Sequence, residues 1–306
     1  MHQNDTIRIS IITPSFNQGQ FIERTIQSVL SQDVKGMEYW VVDGGSTDET
    51  LQVLQRFEDR LQWVSEPDKG QTDALNKGIL RSAGEIIGWL NSDDIYYPEA
   101  LPRILRFFDE HPEVNVVYGK AHHIDEDDGI IAAYPTQEWD YDALLKDCFI
   151  CQPALFFRRN IIERYGLFDE TLQYCMDYEY WLRVGVKEPF CHYPEFLAGS
   201  RLYEQNKTLG CRRQVREEIL EMIYQKTGTL SMRWAIILGS YLAEQENLFP
   251  GGIRSGVRYA RAVYRTVAGE AHRRGKTLTQ QQKLAFGRWW CGVFLRAVGQ
   301  QCRRII

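Results

Sequence analysis

The chain has 306 residues, 44% apolar, 12% aromatic and 25% charged, which excludes disorder, collagen and coiled coil and suffices for one or two folded domains. The formal charge of -5 is unevenly spread: residues 1–209 hold 19 Lys+Arg against 35 Asp+Glu, and residues 210–306 hold 17 against 6, net −16 and +11. Two stretches so unlike in charge face different partners.

From Ile7 onward, short apolar runs alternate with longer segments of helical period, the pattern of a parallel sheet with crossover helices. Ile7 to Ile12 is a strand, Thr13-Pro-Ser-Phe-Asn17 a turn, and Phe21, Ile22, Ile26, Val29 and Leu30 the buried stripe of a helix. Tyr39 to Val42 is a second strand ending in Asp43-Gly-Gly45, after which Ser46 or Thr47, with Asp48 and Glu49, opens a helix in capping fashion. Leu61 to Val64, a helix over Gln71 to Arg81 and a strand over Ile86 to Leu90 continue the alternation. Pro98 lies just inside a further helix start, Val114 to Tyr118 is a strand, and Asp125-Glu-Asp-Asp128 before Gly129 is a turn. Residues 130–209 are rich in aromatics and irregular turns, with a helix over Asp177 to Val184. From Arg212 the chain reads as mostly helix, broken at Pro250-Gly-Gly252 and near Gly275.

In open α/β sheets, ligands sit beyond the carboxyl ends of the strands. Here those ends are polar: Pro14, Ser15 and Asn17; Asp43; Glu66, Asp68 and Lys69; then Asn91, Ser92, Asp93 and Asp94. Any one of these reads equally as a turn or cap residue, but four strand ends that all carry polar groups are harder to assign to turns alone. No G-x-G-x-x-G follows the first strand and no Walker Gly-Lys-Ser/Thr follows any strand. Carboxylates repel phosphate unless a divalent cation lies between them, so Asp93 and Asp94 point to Mg²⁺ or Mn²⁺ bridging to a diphosphate.

Four blocks, Thr13-Pro-Ser-Phe-Asn17, Val41-Val-Asp-Gly-Gly-Ser-Thr-Asp48, Asp68-Lys-Gly-Gln-Thr-Asp-Ala-Leu-Asn76 and Trp89-Leu-Asn-Ser-Asp-Asp94, resemble in order and spacing the family 2 glycosyltransferases of the GT-A fold, of the bacterial cell-surface polysaccharide type. The resemblance continues through Gln152-Pro153, Asp177-Tyr-Glu-Tyr-Trp-Leu-Arg183 and Arg201-Leu-Tyr-Glu-Gln-Asn-Lys-Thr208, the first two thirds of the chain. It implies Pro14, Ser15 and Asn17 around the nucleotide, Asp43 on the base, usually uracil, and Asp68, Gln71, Asn76, Asn91 and Ser92 lining the same cleft. The D-x-D signature falls on Asn91-Ser-Asp93, giving Asp93, with Asp94 beside it, the metal contact and putting an amide where the first Asp usually stands. The family's base, the Asp of a Glu-Asp pair before a Trp-containing helix, falls on Asp177 ahead of Trp181, with Met176 replacing the Glu. A His often found beside the diphosphate is replaced by Tyr203, leaving Arg201 and Lys207 to offset its charge, while Gln152 belongs to the acceptor side.

The spacing of Cys148 and Cys151 lacks a second pair and does not make a zinc site, and of the adjacent His122 and His123 at most one faces an acceptor. Seven dispersed cysteines and a polar start after Met1 favour a reducing, cytoplasmic setting, and the longest apolar runs fall far short of the ~20 residues of a membrane span. Arg254, Arg258, Arg261 and Arg265 share one helix face, and Phe286, Trp289, Trp290, Val293, Phe294 and Ala297 form an apolar stripe flanked by Arg288, Arg296, Arg303 and Arg304. Two readings stand for 254–304: adsorption to an anionic membrane surface, or a helical appendage that packs its aromatics on the catalytic domain. Nucleic acid is disfavoured by the acidic first stretch.

The sequence therefore predicts an α/β GT-A fold, a Rossmann-like mixed sheet flanked by helices, over 1–210, with a basic helical C-terminal region over 211–306. The resemblance implies an inverting, metal-dependent transferase moving a sugar from a nucleotide-diphosphate donor, a UDP-sugar, to a glycan or lipid-linked acceptor on the cytoplasmic side of a membrane. The alternative is a degenerate relative that binds nucleotide sugar or scaffolds a glycan-synthesis complex.

Overall fold

β-Branched runs flanked by amphipathic segments fold here as a single mixed sheet, seen in a computed structural model that describes residues 7–250 and 253–303. Of Thr208, Ile253 and residues 296–303 only the backbone is described. The expectations placed on Met1, Gly251, Gly252 and Arg304, and on the side chains of Thr208, Arg296, Ala297 and Arg303, lie outside the described residues.

The first elements are β1 (Ile9–Ser15), α1 (Ile22–Leu30), β2 (Met37–Asp43), α2 (Thr50–Gln55), β3 (Gln62–Ser65), α3 (Gln71–Arg81), β4 (Ile86–Trp89), β5 (Ile95–Tyr96) and α4 (Ala100–Glu110). Next come β6 (Val116–Ile124), β7 (Ile130–Ala133), α5 (Tyr141–Leu144), a 3₁₀ turn (Gln152–Ala154), β8 (Leu155–Arg158), α6 (Asn160–Tyr165), α7 (Met176–Gly185) and β9 (Cys191–Arg201). The chain closes with α8 (Lys207–Gly210), α9 (Arg212–Thr227), α10 (Met232–Gln245), α11 (Ile253–Arg273) and α12 (Gln280–Arg303). The strand order is β3-β2-β1-β4-β8-β6-β9-β5, with β7 on the side of β6. β3, β2, β1 and β4 run parallel, and β8 enters antiparallel between β4 and β6. Strands buried on both faces need continuous apolar runs, and every residue of β1 and β4 is buried. Helix α1 covers the sheet with Ile22, Ile26, Val29 and Leu30, the expected stripe.

The chain divides into two compact units, Met1–Leu209 and Gly210–Ile306. In the second unit α10 packs on α9, α11 and α12. Gly239 lets α10 approach α11 closely, since a Cβ there would stand 3.0 Å from Val263 Cγ1. Among the described residues no helix is long and apolar enough to cross a membrane.

Several local expectations are corrected. Helix α2 begins at Thr50, and Ser46 turns back to bond Asp43 instead of capping it. Pro98 lies before α4, which follows Glu99 in the left-handed region at φ 65°. Strand β6 runs on to Ile124, so that the acidic turn closes a hairpin with β7. Strands β5, β8 and β9 carried no alternating signal: β9 includes Pro194 and Gly199 and is interrupted by register shifts against β6. A break between α9 and α10 was also missed, although Gly228 at φ 64° ends one helix and Ser231 caps the next.

The amino ends of β1, β2 and β4 are tied by a polar network: Ser10 Oγ donates to Glu38 Oε2 (2.7 Å), Gly84 N donates to Ser10 Oγ (2.8 Å), and Trp40 Nε1 donates to Glu38 Oε1 (3.0 Å). A Cβ on Gly84 would stand 2.5 Å from Ser10 N, against backbone that cannot yield. Gly84→Ala is expected to destabilise the protein by about 1–3 kcal/mol, the range for overpacking, read as a lowered urea midpoint at unchanged slope.

Candidate active site

Parallel pairing brings the carboxyl ends of the strands into line: Ser15 lies opposite Asp43, Asp43 opposite Ser65, and Ile12 opposite Trp89. The loops beyond are organised from below by Asp43, which is fully buried. Its Oδ2 accepts from Gly45 N (3.0 Å), Ser46 N (2.8 Å) and Ser65 Oγ (2.7 Å), and its Oδ1 accepts from Ser46 Oγ. Asn17, in the left-handed region at φ 52°, stitches the first loop to the second: its N–H donates to Ser46 Oγ (2.7 Å) and its Oδ1 accepts from Thr47 N (2.9 Å). Asp68 packs against Gly44, where a Cβ would come within 2.5 Å of Asp68 Oδ2, so only glycine admits that carboxylate.

Asn91 is the hub of the cleft floor. Its Oδ1 accepts from Trp89 Nε1 (2.8 Å) and Gln71 Nε2 (2.7 Å), and its Nδ2 donates to Gln152 Oε1 (2.9 Å) and Asp94 Oδ2 (3.2 Å). An indole N–H only donates, which fixes the amide's orientation. Gln152 is fixed likewise, because its Nε2 donates to the Trp89 carbonyl (2.6 Å). Gln71 in turn accepts from Lys207 Nζ (2.9 Å), an exposed ammonium that also bonds the Gln173 carbonyl and acts electrostatically on Asp93.

Asp93 and Asp94 follow. Asp94 is buried, its Oδ1 accepting from Arg201 N (2.8 Å) and its Oδ2 from Asn91. Burial, and then the neighbouring Asp93, push its carboxyl well above the usual range. Asp93 stays partly exposed; burial raises its carboxyl too, against the pull of Tyr203, whose hydroxyl donates to Asp93 Oδ2 (3.1 Å), and of Arg201 and Lys207. A pair that resists carrying two charges fits a site completed by a divalent cation, with Asp93 as protein ligand. Among the described residues no three His, Cys, Asp or Glu side chains form a full cage, so phosphate oxygens and water would supply the other ligands.

Asp177 stands in the first turn of α7, where the helix dipole favours a carboxylate, with Oδ1 accepting from Tyr178 N (2.7 Å). Nearby Tyr134 is half-buried, its hydroxyl donating to the Cys148 carbonyl (3.0 Å), and its phenol is raised by desolvation and by Cys148, Cys151 and Asp177. Cys151 is raised by burial, then by Asp94, and by Asp177 as well, so one thiol lies within electrostatic range of both acids. His122 and His123 do face opposite ways: His122 stacks on Phe196, ring centroids 3.9 Å apart, while His123 packs on Tyr134 at 5.3 Å.

Residues 10–166 match the sequence profile of Glycosyl transferase family 2. The chain belongs to this family. It is 28% identical over 222 residues to an uncharacterised glycosyltransferase of Rickettsia prowazekii, covering 68% of each chain. It is 30% identical over 183 residues to a PGL/p-HBAD biosynthesis glycosyltransferase of Mycobacterium bovis, covering 57% of this chain and 68% of that one. Against the Escherichia coli chondroitin synthase the match is 27% identical, over 66% of this chain and 30% of the synthase. Two solved structures share its GT-A fold. S. aureus TarS 1–349 with UDP-GlcNAc gives a TM-score of 0.57 at 17% identity, covering 86% of this chain and 83% of that one. The mannosyltransferase PcManGT of Pyrobaculum calidifontis, with GDP-Man and Mn²⁺, gives 0.57 at 15%, covering 96% and 86%.

Within this family 2 glycosyltransferase, several expected site residues serve the cleft from behind. Pro14 is buried inside β1, and the Ser92 carbonyl accepts from Thr25 Oγ1 (2.9 Å). Asn76 is buried and holds the following loop, donating to the Phe168 carbonyl (2.9 Å) and accepting from Phe168 N (3.1 Å), so it does not line the cleft. Asp94 has both oxygens turned inward to N–H donors, and Asp93 is the partly exposed carboxylate of the pair. Arg201 does not face a diphosphate: its side chain has no exposed surface and donates to the Asp93 carbonyl (2.7 Å), the Asp125 carbonyl and the Asp128 carboxylate. Trp181 is buried in the aromatic core beside Phe168 and Tyr180. Sequence reasoning missed Thr25, Gln18 and Tyr134. Gln18 donates to the Tyr203 hydroxyl (3.3 Å), and Thr25 Oγ1 also reaches the Asp94 carbonyl (2.8 Å); both lie between motifs, and the one available signal was a polar residue on the buried stripe of α1.

Restoring the acid at position 91 should harm the fold. Asn91→Asp removes both N–H donors and sets a carboxylate against Asp94 Oδ2 and Gln152 Oε1. A loss of about 1–3 kcal/mol is expected, measured as a lower melting temperature by circular dichroism. The loss grows as pH rises from about 4 towards 7, because the crowded carboxyl has a raised folded-state pKa and its stabilising proton is lost on the way up.

Proposed function

We propose that the protein transfers a sugar, with inversion, from a nucleoside-diphosphate donor, a UDP-sugar, to a hydroxyl of a glycan or lipid-linked acceptor. The observation that carries this reading is the strand-end cluster around Asp93, where the Tyr203 hydroxyl donates to its Oδ2 (3.1 Å) and Lys207 and Gln71 lie beside the Asn91 floor, in a chain whose residues 10–166 match the family profile. The chondroitin synthase among the relatives and the UDP-GlcNAc and GDP-Man complexes of fold neighbours support a nucleotide-sugar donor and a saccharide product.

Ser15, Asn17 and Asp68 would receive the nucleoside beyond β1 and β2, with Asp43 holding the loop that carries it. Among the described residues Ser15 Oγ and Gln18 Oε1 are buried with no partner, which supports a ligand hydrogen-bonding there. Lys207 meets the diphosphate over a floor that Asn91 and Gln71 hold in place, and Gln152 orients the acceptor side. Bound at Asp93, Mn²⁺ or Mg²⁺ would neutralise the charge that builds on the leaving diphosphate. Asp177 takes the proton of the acceptor hydroxyl as its oxygen bonds the anomeric carbon, and the carbon–oxygen bond to the diphosphate breaks on the opposite side, its electron pair leaving with phosphate. One in-line displacement inverts the anomeric centre.

Two measurements test this. Asp93→Ala is expected to abolish the metal dependence of UDP binding seen by calorimetry; wild-type dependence in the variant would remove Asp93 from the metal site. Asp177→Asn keeps shape and helix-capping geometry while losing basicity, so UDP affinity should hold while turnover drops by about 10²-fold or more. Equal turnover of the two proteins with the same donor and acceptor would exclude the base.

A further inference from the structure

Helix α11 carries arginines at 254, 258, 261 and 265, spaced i, i+4, i+7 and i+11. At about 100° and 1.5 Å per residue they share an arc of about 60° and a length of about 17 Å. All four are exposed, and none has a hydrogen bond or ion pair among the described residues. Between 253 and 303 the sequence holds a single acid, Glu270, which is buried and bonded to Arg273 and Arg274. The stripe therefore has no internal counter-charge.

Beside it, α11 and α12 leave a groove of about 430 Å³ whose walls are Tyr264, Phe286, Trp290 and Val257, with Arg261 and Arg265 at its edge. The groove is open to solvent-sized apolar matter: Tyr264 and Val257 are exposed, and its Trp290 ring lies on the bare backbone of Gly256, 3.2 Å from where a Cβ would stand. Unpaired cations bordering aromatic and aliphatic side chains match a surface with anionic heads over hydrocarbon, and among the described residues no helix is apolar enough to span.

We infer that α11 and α12 dock on an anionic phospholipid bilayer, the arginine stripe on the headgroup phosphates and the Tyr264–Phe286–Trp290 groove around the upper part of an acyl chain. The chain's net charge of -5 does not oppose this, because residues 210–306 are themselves net +11. A nucleic acid would use the arginines and leave the groove in water. The inference does not rest on the donor assignment.

The test is co-sedimentation of the full chain with phosphatidylcholine vesicles, with and without an equal share of phosphatidylglycerol. Binding is expected to the anionic vesicles alone and to be released at about 1 M salt, where the Debye length is about 3 Å. Replacing Arg254, Arg258, Arg261 and Arg265 together by Gln should weaken vesicle affinity by about 10³-fold, since each basic residue near an anionic surface contributes about fivefold. These side chains are exposed, so circular dichroism and UDP calorimetry should match the wild type, which keeps this result separate from the fate of the donor reading. Chain-brominated lipid should quench tryptophan fluorescence, and Trp290→Phe should remove most of that quenching while binding remains. No binding at low salt, equal binding to neutral vesicles, or full affinity in the Gln variant overturns the inference. Self-association that needs the same arginines, with vesicles ignored, overturns it in favour of a protein-docking face.

Discussion

Asp93 and Asp94 are adjacent acids in a low-dielectric crevice, and the surrounding side chains are arranged around the cost of holding both there. Each neighbour addresses a different part of that cost. The backbone N–H of Arg201 and the amide of Asn91 occupy the two oxygens of Asp94, and Thr25 holds the Ser92 and Asp94 carbonyls from α1. The Arg201 guanidinium is buried behind the loop, against the Asp93 carbonyl and the Phe21 ring, 4.8 Å from its centroid. These contacts hold the backbone without cancelling the side-chain charge that faces the cleft. Asp93 thus keeps one partner from the protein, the Tyr203 hydroxyl, and a raised carboxyl that a cation would relieve.

The two edges of the sheet obey different rules. At the amino edge Ser10, Glu38, Trp40 and Gly84 satisfy one another. At the carboxyl edge Ser15 Oγ and Gln18 Oε1 are buried without a partner among the described residues. Buried polar atoms normally find hydrogen bonds, because leaving one unmade costs about 1–3 kcal/mol. The unmade bonds of Ser15 and Gln18 are positions that a ligand could fill.

The alternation of apolar runs with helical stripes made β1 to β4 and α1 to α3 legible, since each strand is buried by residues contiguous in sequence. Strand β9 escaped because its burial is set by pairing with β6 and β5, long-range partners that no local period records, and because Pro194 and Gly199 interrupt it. The site was legible by residue type and less so by direction. Arg201 and Asp94 look alike, as sequence, whether they face a ligand or the interior; only the Asp128 carboxylate and the strand-end N–H decide it. Asn76 was misread in the same way, its partners lying at 168 and 170.

The three departures from the family's usual residues bear on whether the protein is an enzyme or a degenerate binder. Met176 is buried and apolar at the start of α7, where a charge would lack a solvent outlet, and the adjacent Asp177 keeps its place in the first helical turn. Asn91 uses all four of its hydrogen-bonding positions, which an acid there could not do, so the amide is an integral part of this floor. Tyr203 replaces an imidazole by a hydroxyl that still reaches Asp93 and adds a link to Gln18 and a ring contact with Phe21 at 4.8 Å. A decaying site loses contacts at its substituted positions. Here the substituted positions at Asn91 and Tyr203 are among the most connected in the cleft.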